Sequence, residues 1–293
     1  MSLTKINFPE EFDPAYYGAN NADLRSFDTK RLSEHYLQHG RGEGRKARAF
    51  SPRTHLSAIL EGARDILEIG PFNSPVLVGP NVEYFDVLSR EDLIARAEKL
   101  RITTERIPRI NYVSPIGDLS VVDKTFEVVF SSHCLEHQVD LIGHLQQVDV
   151  LLEKGGAYPL FVPDKRFCFD ARLAESTIAD ILDAHHEKRK FHRLASVLEH
   201  RALTVHNDTS RHWQEREQVP QTRVAERLRA ALLEFEANEG SYIDVHAWKF
   251  TPESFHENMN YLRELGLINF VVERLYYPEK GYNEFFAVLR KTE

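Results

Sequence analysis

The sequence has few cysteines and no long apolar run. Only two of its 293 residues are cysteines, too few for the disulfide framework of a small secreted protein. No apolar stretch approaches the roughly 20 residues that span a bilayer, and residues 1–5 lack the apolar core of a signal peptide. These absences predict a cytoplasmic protein without membrane insertion.

The sequence also lacks an excess of positive charge. It has 37 Lys and Arg residues against 45 Asp and Glu residues, which gives a formal net charge of -8. Because phosphate backbones are normally bound by a basic surface, we do not expect nucleic acid as a partner. A local basic stretch at residues 41–48 is interpreted as a solvated linker.

From residue 54 onward, short apolar runs alternate with helical patterns, which predicts an α/β fold with a largely parallel sheet. Helices are expected at residues 90–100 and 139–153, the second ending at Gly155 and Gly156. A turn-rich segment without a helix joins the last two strands, which predicts an antiparallel hairpin at a sheet edge. The predicted strands lie at residues 65–69, 82–86, 126–131, 157–162, 269–275 and 284–290.

Two segments depart from this alternation. Residues 1–50 are interpreted as a small helical module, which can barely bury a core alone and is expected to pack on the main domain or on a partner. Residues 51–293 are expected to form that main domain, with a helical, histidine-rich insertion at about 171–238. A small cluster in the module is expected from Tyr16, Tyr17, Leu24, His35, Tyr36 and Leu37.

The junction after the first predicted strand is the most informative stretch. Glu68 lies in the strand, Gly70 ends it, and Pro71 and Asn73 follow. Ligands of open α/β sheets bind at the carboxyl ends of the strands, and a glycine allows the backbone to approach a ligand closely. We therefore interpret this turn as a candidate cofactor site.

Further polar residues lie at the ends of the next strands. Asp86 ends the second predicted strand, where a carboxylate can accept both hydroxyls of a ribose. Asp118 and Leu119 precede the strand at residues 126–131, where a side chain can take an adenine amino group. Ser132 and His133 end that strand beside the same crevice, which completes the predicted cofactor site.

A nicotinamide-dependent oxidoreductase is the main alternative for such a fold. Its first turn normally has the pattern G-x-G-x-x-G and presents a helix N-terminus to a pyrophosphate. Here Gly70 is followed by Pro71, Asn73 and Pro75, without the further glycines. The turn therefore favours a nucleoside cofactor that has no phosphates.

These motifs resemble those of the class I, Rossmann-like S-adenosylmethionine-dependent methyltransferases. Glu68-x-Gly70 resembles their first motif, and Asp86 resembles their ribose-binding acidic residue. Asp118-Leu119 is similar to their adenine-side motif. Residues 126–137, which end in Leu-Glu-His, resemble their fourth-strand segment, and residues 152–156 resemble the turn before their fifth strand.

The resemblance covers about residues 54–165 and the terminal hairpin. It implies a seven-stranded, mostly parallel Rossmann-like sheet, with S-adenosyl-L-methionine lying across the ends of strands one, two and four. Glu68 would orient the glycine turn or the methionine amino group. The sequence departs from the family pattern in two places. Only eleven residues separate Gly70 from Val82, so the usual crossover helix is expected to be short or absent. Pro159 is expected at a strand start or a bulge.

The N-terminal segment has a resemblance of its own. Phe12-Asp13-Pro14-x-Tyr16-Tyr17 and the later His35-Tyr36-Leu37-x-x-Gly40 resemble a short module of bacterial proteins of cell-surface polysaccharide assembly. In that group the module is often attached to glycosyltransferases. The resemblance implies a sugar or glycan acceptor, and a glycosyltransferase or another polysaccharide-assembly protein as a partner.

Candidate acceptor residues follow the predicted strand at residues 157–162 and lie in the insertion. Asp164 is a candidate general base and Arg166 a candidate ligand for an anionic acceptor, against the alternative of a turn aspartate with a surface arginine. His137 is interpreted as a helix-capping residue. The insertion is expected to form a lid that supplies His206 and His246 for catalysis, with Arg211 and Trp213 for substrate binding.

The histidines do not have compact metal-ligand spacing, so no metal site is predicted, and a divalent ion held by carboxylates stays open. The leading hypothesis is methyl transfer to an oxygen of a sugar, a glycan precursor or another small molecule. The alternative is a non-catalytic module that binds the cofactor or a glycan within a polysaccharide-assembly complex.

Overall fold

Seven strands form one sheet in the computed structural model, which describes residues 6–214, 222–238 and 240–292. Across the sheet the order is β3-β2-β1-β4-β5-β7-β6. The first five strands are parallel, and β7 is antiparallel to both of its neighbours, which confirms the predicted sheet. The strands are β1 (Ile66–Ile69), β2 (Val82–Asp86), β3 (Tyr112–Val113), β4 (Phe126–Ser132), β5 (Leu152–Pro163), β6 (Phe270–Tyr276) and β7 (Glu284–Lys291).

Helices cover both faces of this sheet. One face packs against α5 (Leu141–Leu151) and α10 (Pro252–Glu264), and the other packs against α3 (Pro52–Leu60). A further helix, α4 (Arg90–Leu100), follows β2 and packs on a smaller apolar cluster. Every residue of β1 is buried, as expected for a parallel strand that is covered on both sides.

Two details of the sheet bear on the sequence predictions. The described stretch between β1 and β2 contains no helix, so the shortened crossover leaves only a loop there. Pro159 was expected at a strand start or a bulge, but it lies inside β5, opposite Val288 of β7. Gly155 and Gly156 also lie inside β5, because α5 ends earlier than predicted, at Leu151.

The insertion is helical, as predicted. Its helices α7 and α9 pack on residues 243–245, the segment that leads into α10. Residues 215–221, which the prediction also assigned to the insertion, lie outside the described residues. In the described ranges, no helix combines the length and the hydropathy of a membrane span. The insertion helices are α6 (Ile178–His186), α7 (Leu194–Leu198), α8 (Thr209–Gln214) and α9 (Val224–Ala237).

The N-terminal segment contains two short helices, α1 (Pro14–Asn20) and α2 (Thr29–His35). They enclose a small apolar cluster around Tyr17, Leu24 and Tyr36. Leu37, which was expected to belong to this cluster, is exposed instead. A single turn of π-helix carries Leu37 to the outer side of the segment. The assignment of this segment as a separate module stays a prediction.

The basic stretch at residues 41–48 is not a solvated linker, and that interpretation was wrong. Arg41 donates to the hydroxyl of Tyr277 at 3.3 Å, and the guanidinium of Arg48 is buried over the ring of Tyr276. Both tyrosines come from the end of β6, more than 200 residues away in sequence. These arginines therefore attach the N-terminal segment to the sheet.

Candidate functional site

The loop after β1 is shaped by the carboxylate of Glu68. This side chain is buried and accepts the backbone N–H groups of Val76 at 2.8 Å and Leu77 at 2.9 Å. Burial raises the pKa of Glu68 to about 7, although the two donors oppose the shift. The predicted role of orienting the turn matches this geometry, because Glu68 holds the loop back against the strand that precedes it.

Gly70 and Asp86 lie at the same edge of the sheet. The N–H of Gly70 donates to the carbonyl of Phe85 at 2.9 Å, one residue before Asp86. Gly70 has a φ of 70°, a conformation that a side chain would strain. The carboxylate of Asp86 is buried and accepts from Leu88 at 3.1 Å, and the backbone N–H of Phe72 also bonds to it. Backbone bonds therefore hold the bend at Gly70 and the carboxylate of Asp86 together at one edge of the sheet.

The remaining predicted cofactor residues border this edge in different ways. Pro71 is buried and Asn73 is partly exposed, with its amide 3.5 Å from the carbonyl of Thr103. Asp118 is partly exposed and caps a short 3₁₀ turn through its bonds to Ser120. Leu119 is buried in the core, and its backbone N–H already donates to Oε1 of Gln147 at 3.0 Å. Their assignment as cofactor ligands stays a prediction.

Ser132 and His133 belong to a network of charged groups at the end of β4. Arg53 donates to the hydroxyl of Ser132 at 2.9 Å. Its guanidinium also forms a bidentate ion pair with the carboxylate of Glu284, with both N–O distances at 2.5 Å. The Nε2 of His133 lies 2.6 Å from Glu284. Burial lowers the pKa of His133, but Glu284 and Glu136 carry it above the ordinary value. These two carboxylates therefore favour the protonated form of His133.

A shallow pocket with a cavity volume of about 30 Å³ opens beside this network. It lies between the start of α3 and the segment that joins β6 to β7. Its lining combines cations with phenol rings, which suits a polar, hydroxyl-rich or anionic ligand. The residues that give it this character are Arg48, Arg53, Tyr276, Tyr277, Tyr282 and Glu284.

Asp164 and Arg166 bond to each other. Asp164 is fully buried, and its carboxylate accepts the backbone N–H and the guanidinium of Arg166, with N–O distances of 2.6–3.2 Å. Burial raises the pKa of Asp164, while Arg166 opposes the rise. These bonds are those expected for a turn aspartate, and the role of Asp164 as a general base stays a prediction.

Arg211 and Trp213, the substrate residues predicted in the insertion, lie in α8, away from the turn at Gly70. The indole of Trp213 stacks on Phe167 with the ring centroids 3.8 Å apart, and its N–H donates to the carbonyl of Tyr282 at 2.8 Å. A Cβ on Gly44 would lie 2.6 Å from this indole. Trp213 therefore ties α8 to the N-terminal segment, and its Tyr282 contact brings it to the rim of the pocket. Arg211 is exposed on the same helix.

The two histidines proposed for catalysis have different surroundings. The ring of His206 stacks on His212 at 4.2 Å, and its Nδ1 accepts the N–H of Asp208 at 3.2 Å. His246 is buried, and its Nδ1 lies 2.6 Å from Asp170. The ring of His246 is 4.8 Å from that of His137, close to the carboxylate of Glu136. The structure therefore brings His246 to the end of β4.

His137 is not a helix-capping residue, and that interpretation was wrong. It ends the 3₁₀ turn that follows β4, and its Nδ1 lies 3.2 Å from Asp244. Burial lowers the pKa of His137, but Asp244 and Glu136 raise it above the ordinary value. Asp244 is also paired with Arg96 of α4, so the segment before α10 lies against the helix that follows β2.

Sequence reasoning missed several residues of this region. Glu136 was seen only as part of a Leu-Glu-His motif, and Asp244 was not singled out. Asp170, Arg53 and Glu284 carried no sequence signal. Such partners come together through the fold, and only the adjacency of Glu136 to His137 could have pointed to the cluster.

Comparisons with known proteins find a distant likeness in architecture. No protein-family model matches the chain, and no curated protein matches it significantly. A solved S-adenosylmethionine-dependent methyltransferase from Mesorhizobium loti is 14% identical, with 78% of this chain and 91% of that chain covered and a TM-score of 0.39.

Two further solved structures are similar at the same level. The CcbJ methyltransferase from Streptomyces caelestis is 13% identical, with 86% of this chain and 95% of that chain covered and a TM-score of 0.39. A protein from Rhodobacter sphaeroides assigned to the Zn-dependent alcohol dehydrogenases is 14% identical, with 84% and 92% covered and a TM-score of 0.41. At these scores the functional argument rests on the site itself.

Proposed function

We propose that this chain is an S-adenosylmethionine-dependent methyltransferase that acts on an oxygen of a sugar or glycan precursor. The observation that carries the proposal is the shared edge of Gly70 and Asp86, where a bend without Cβ faces a buried carboxylate. The order of the strands agrees with the resemblance of the motifs. The absence of phosphate-binding glycines from the sequence of the turn favours this cofactor over a dinucleotide.

In the proposed complex, the adenosine lies across the ends of β1, β2 and β4. Asp86 accepts the ribose hydroxyls, Asp118 lies on the adenine side, and the Gly70 turn passes beneath the methionine portion. Glu68 acts indirectly, because its carboxylate already holds the loop through Val76 and Leu77. It is a positioning residue in this scheme.

The proposed reaction transfers a methyl group from the sulfonium of the cofactor to an acceptor hydroxyl. The bond between sulfur and methyl breaks as the oxygen–methyl bond forms, which leaves neutral S-adenosylhomocysteine, and the hydroxyl proton goes to a base or to water. The protein's task is to hold the two reactants in line and to accept or direct that proton. In this scheme His133, at the end of β4, is a candidate to accept that proton.

The pocket beside Arg53 and Glu284 supports a polar acceptor. Arg48 and Arg53 supply positive charge, and Tyr277 and Tyr282 supply rings and hydroxyls of the kind that bind sugars or their phosphates. The carboxylate of Glu284 connects the pocket to His133 at the end of β4. We place one polar group of the acceptor in this pocket as part of the same proposal, with the N-terminal resemblance as its other support.

The first test is calorimetric binding of S-adenosylhomocysteine to the full chain. Asp86→Asn removes a charged acceptor from the predicted ribose site and is expected to weaken binding about 10- to 100-fold. The exposed Asp123→Asn is the matched control and should leave the affinity unchanged. Wild-type protein that does not bind the ligand at millimolar concentration would reject the proposal.

The second test identifies the acceptor. The chain is incubated with labelled methyl donor and extracts of nucleotide sugars or lipid-linked glycans, followed by mass spectrometry. A methylated sugar supports the proposal, and methylation confined to molecules that are not sugars would contradict its acceptor class. Cofactor binding without any turnover would instead favour the non-catalytic scaffold.

A further inference from the structure

We infer that Glu136, His137 and His246 form a binding site for a divalent transition-metal ion of the Zn²⁺ class. One potential ligand atom of each residue lies within 4.8 Å of those of the other two. The Oε1 of Glu136 is 3.8 Å from Nε2 of His137 and 3.9 Å from Nε2 of His246. Two imidazole nitrogens and one carboxylate are a donor set that binds such ions.

The carboxylate of Glu136 is the strongest sign of a ligand. Its side chain is 1% exposed, and neither of its oxygens has a hydrogen-bond partner among the described residues. The histidine nitrogens at 3.8–3.9 Å are too distant for hydrogen bonds. Ligands of a tetrahedral Zn²⁺ ion lie about 3.4 Å apart, so small side-chain shifts suffice to close the cluster around an ion.

Each histidine also has a carboxylate behind it. Asp170 lies 2.6 Å from Nδ1 of His246, and Asp244 lies 3.2 Å from Nδ1 of His137. A carboxylate at Nδ1 places the ring proton there and turns the lone pair of Nε2 toward the cluster. This carboxylate–histidine hydrogen bond is the usual support of metal-binding imidazoles, and His246 has it, whereas Asp244 lies near Nδ1 of His137 without hydrogen-bond geometry.

Backbone bonds hold the parts of the cluster together. The carbonyl of Glu136 accepts the N–H groups of Ala247 at 2.7 Å and Trp248 at 3.1 Å. These bonds fix the segment that carries His246 against the turn that carries Glu136 and His137. The geometry is therefore set by the fold, and metal binding needs little rearrangement of the chain.

The cluster borders the proposed cofactor edge. Cys134, two residues before Glu136, would lie 3.6 Å from a Cβ on Gly70. Three protein ligands leave a coordination position open, as in catalytic zinc sites. Resting on the proposed function, the ion would hold the acceptor hydroxyl there and lower its pKa, with the proton released to water and His246 acting as a ligand.

The test is titration of the chelator-treated full chain with Zn²⁺, followed by calorimetry and by melting temperature. We expect one ion bound per chain at this cluster and a melting temperature that rises with Zn²⁺ concentration. Glu136→Gln and His246→Ala are each expected to weaken binding by at least about 100-fold, and Asp170→Asn by about 10- to 100-fold. The exposed His256→Ala should bind as the wild type does.

Two results would overturn the inference: wild-type protein that does not bind Zn²⁺ below millimolar concentration, or Glu136→Gln protein that binds it with unchanged affinity. Circular dichroism of the chelated variants shows whether each is folded, and Glu136→Gln, which keeps the side-chain shape, is the decisive variant. Binding of S-adenosylhomocysteine is measured separately in chelator. A failure of the metal site and a failure of the proposed function are thereby distinguished.

Discussion

Glu68 and Glu136 are equally buried, but their carboxylates have opposite surroundings. Each side chain is 1% exposed. Glu68 accepts two backbone N–H groups from the loop that follows it, whereas the oxygens of Glu136 accept none from the described residues. Because a buried carboxylate without donors is costly, the first glutamate is explained by the fold and the second is not.

The difference shows how to separate structural from functional acidic residues. Both glutamates stand in motifs that resemble those of the same family, so the motif alone does not distinguish them. The loop after β1 folds back, and its own backbone N–H groups donate to the carboxylate of Glu68. The segments that reach Glu136 bring imidazoles instead, and these are held at a distance by their own carboxylate partners.

The largest effect on the free energy of unfolding is expected when the carboxylate of Glu68 is removed. Glu68→Ala leaves the N–H groups of Val76 and Leu77 without their acceptors and opens a small cavity under the loop. We expect the free energy of unfolding to fall by about 4 kcal/mol, from two unmet buried donors. Urea unfolding at neutral pH measures this change. A loss below about 1 kcal/mol would show that the loop does not depend on the carboxylate.

His144 is a third buried titratable side chain, and its surroundings differ from those of both glutamates. His144 lies in α5, with its Nε2 3.3 Å from the hydroxyl of Tyr158, and burial lowers its pKa to about 4. An unfolded histidine titrates near pH 6.5, so between that value and about pH 4 the unfolded state binds more protons. The free energy of unfolding should therefore fall by about 3 kcal/mol as the pH is lowered through this range.

His144→Gln removes the titrating group and keeps a polar partner for Tyr158. The variant should lose this part of the pH dependence, which is measured as the difference in unfolding free energy between variant and wild type across the window. Parallel curves for the two proteins would contradict the buried, neutral state of His144.

The smallest expected effect tests the other glutamate. Glu136→Ala removes a carboxylate that receives no hydrogen bond but attracts His133 and His137, so in metal-free protein the cost comes from lost packing and lost attraction, at about 1 kcal/mol. Relief of the desolvation cost offsets part of it. Chemical unfolding in the presence of chelator measures the change beside that of Glu68→Ala. Equal losses in the two variants would remove the distinction drawn between them.

The regular part of the fold was predictable from the sequence. β2 and α4 have the predicted bounds, because an apolar strand and a charged helix with a Ser89 cap are encoded by adjacent residues. The spacing of eleven residues between Gly70 and Val82 predicted a crossover helix that is short or absent, and the described residues there form none. Pro159 was placed wrongly, since strand pairing on both sides of β5 is a property of the whole sheet and can outweigh one lost donor.

The site was less predictable, because its parts are distant in sequence. Gly70 and Asp86 were found through spacing, and His246 was singled out for its chemistry. Its partners Asp170 and Glu136 lie 76 and 110 positions away, and no local pattern connects them. The arginines at residues 41–48 were misread for the same reason, since the tyrosines that bury them come from the far end of the chain.

The helix-free loop after β1 leaves the covering of that sheet face to α3, a helix that precedes the strand. Leu56 and Leu60 pack there with Ile66 and Phe130, while the loop itself contributes Leu77. Added residues near Asn73 would therefore lengthen a surface segment at low entropic cost without uncovering the sheet. The loop can change in length and composition to suit a different ligand while the hydrophobic layer beneath it stays intact.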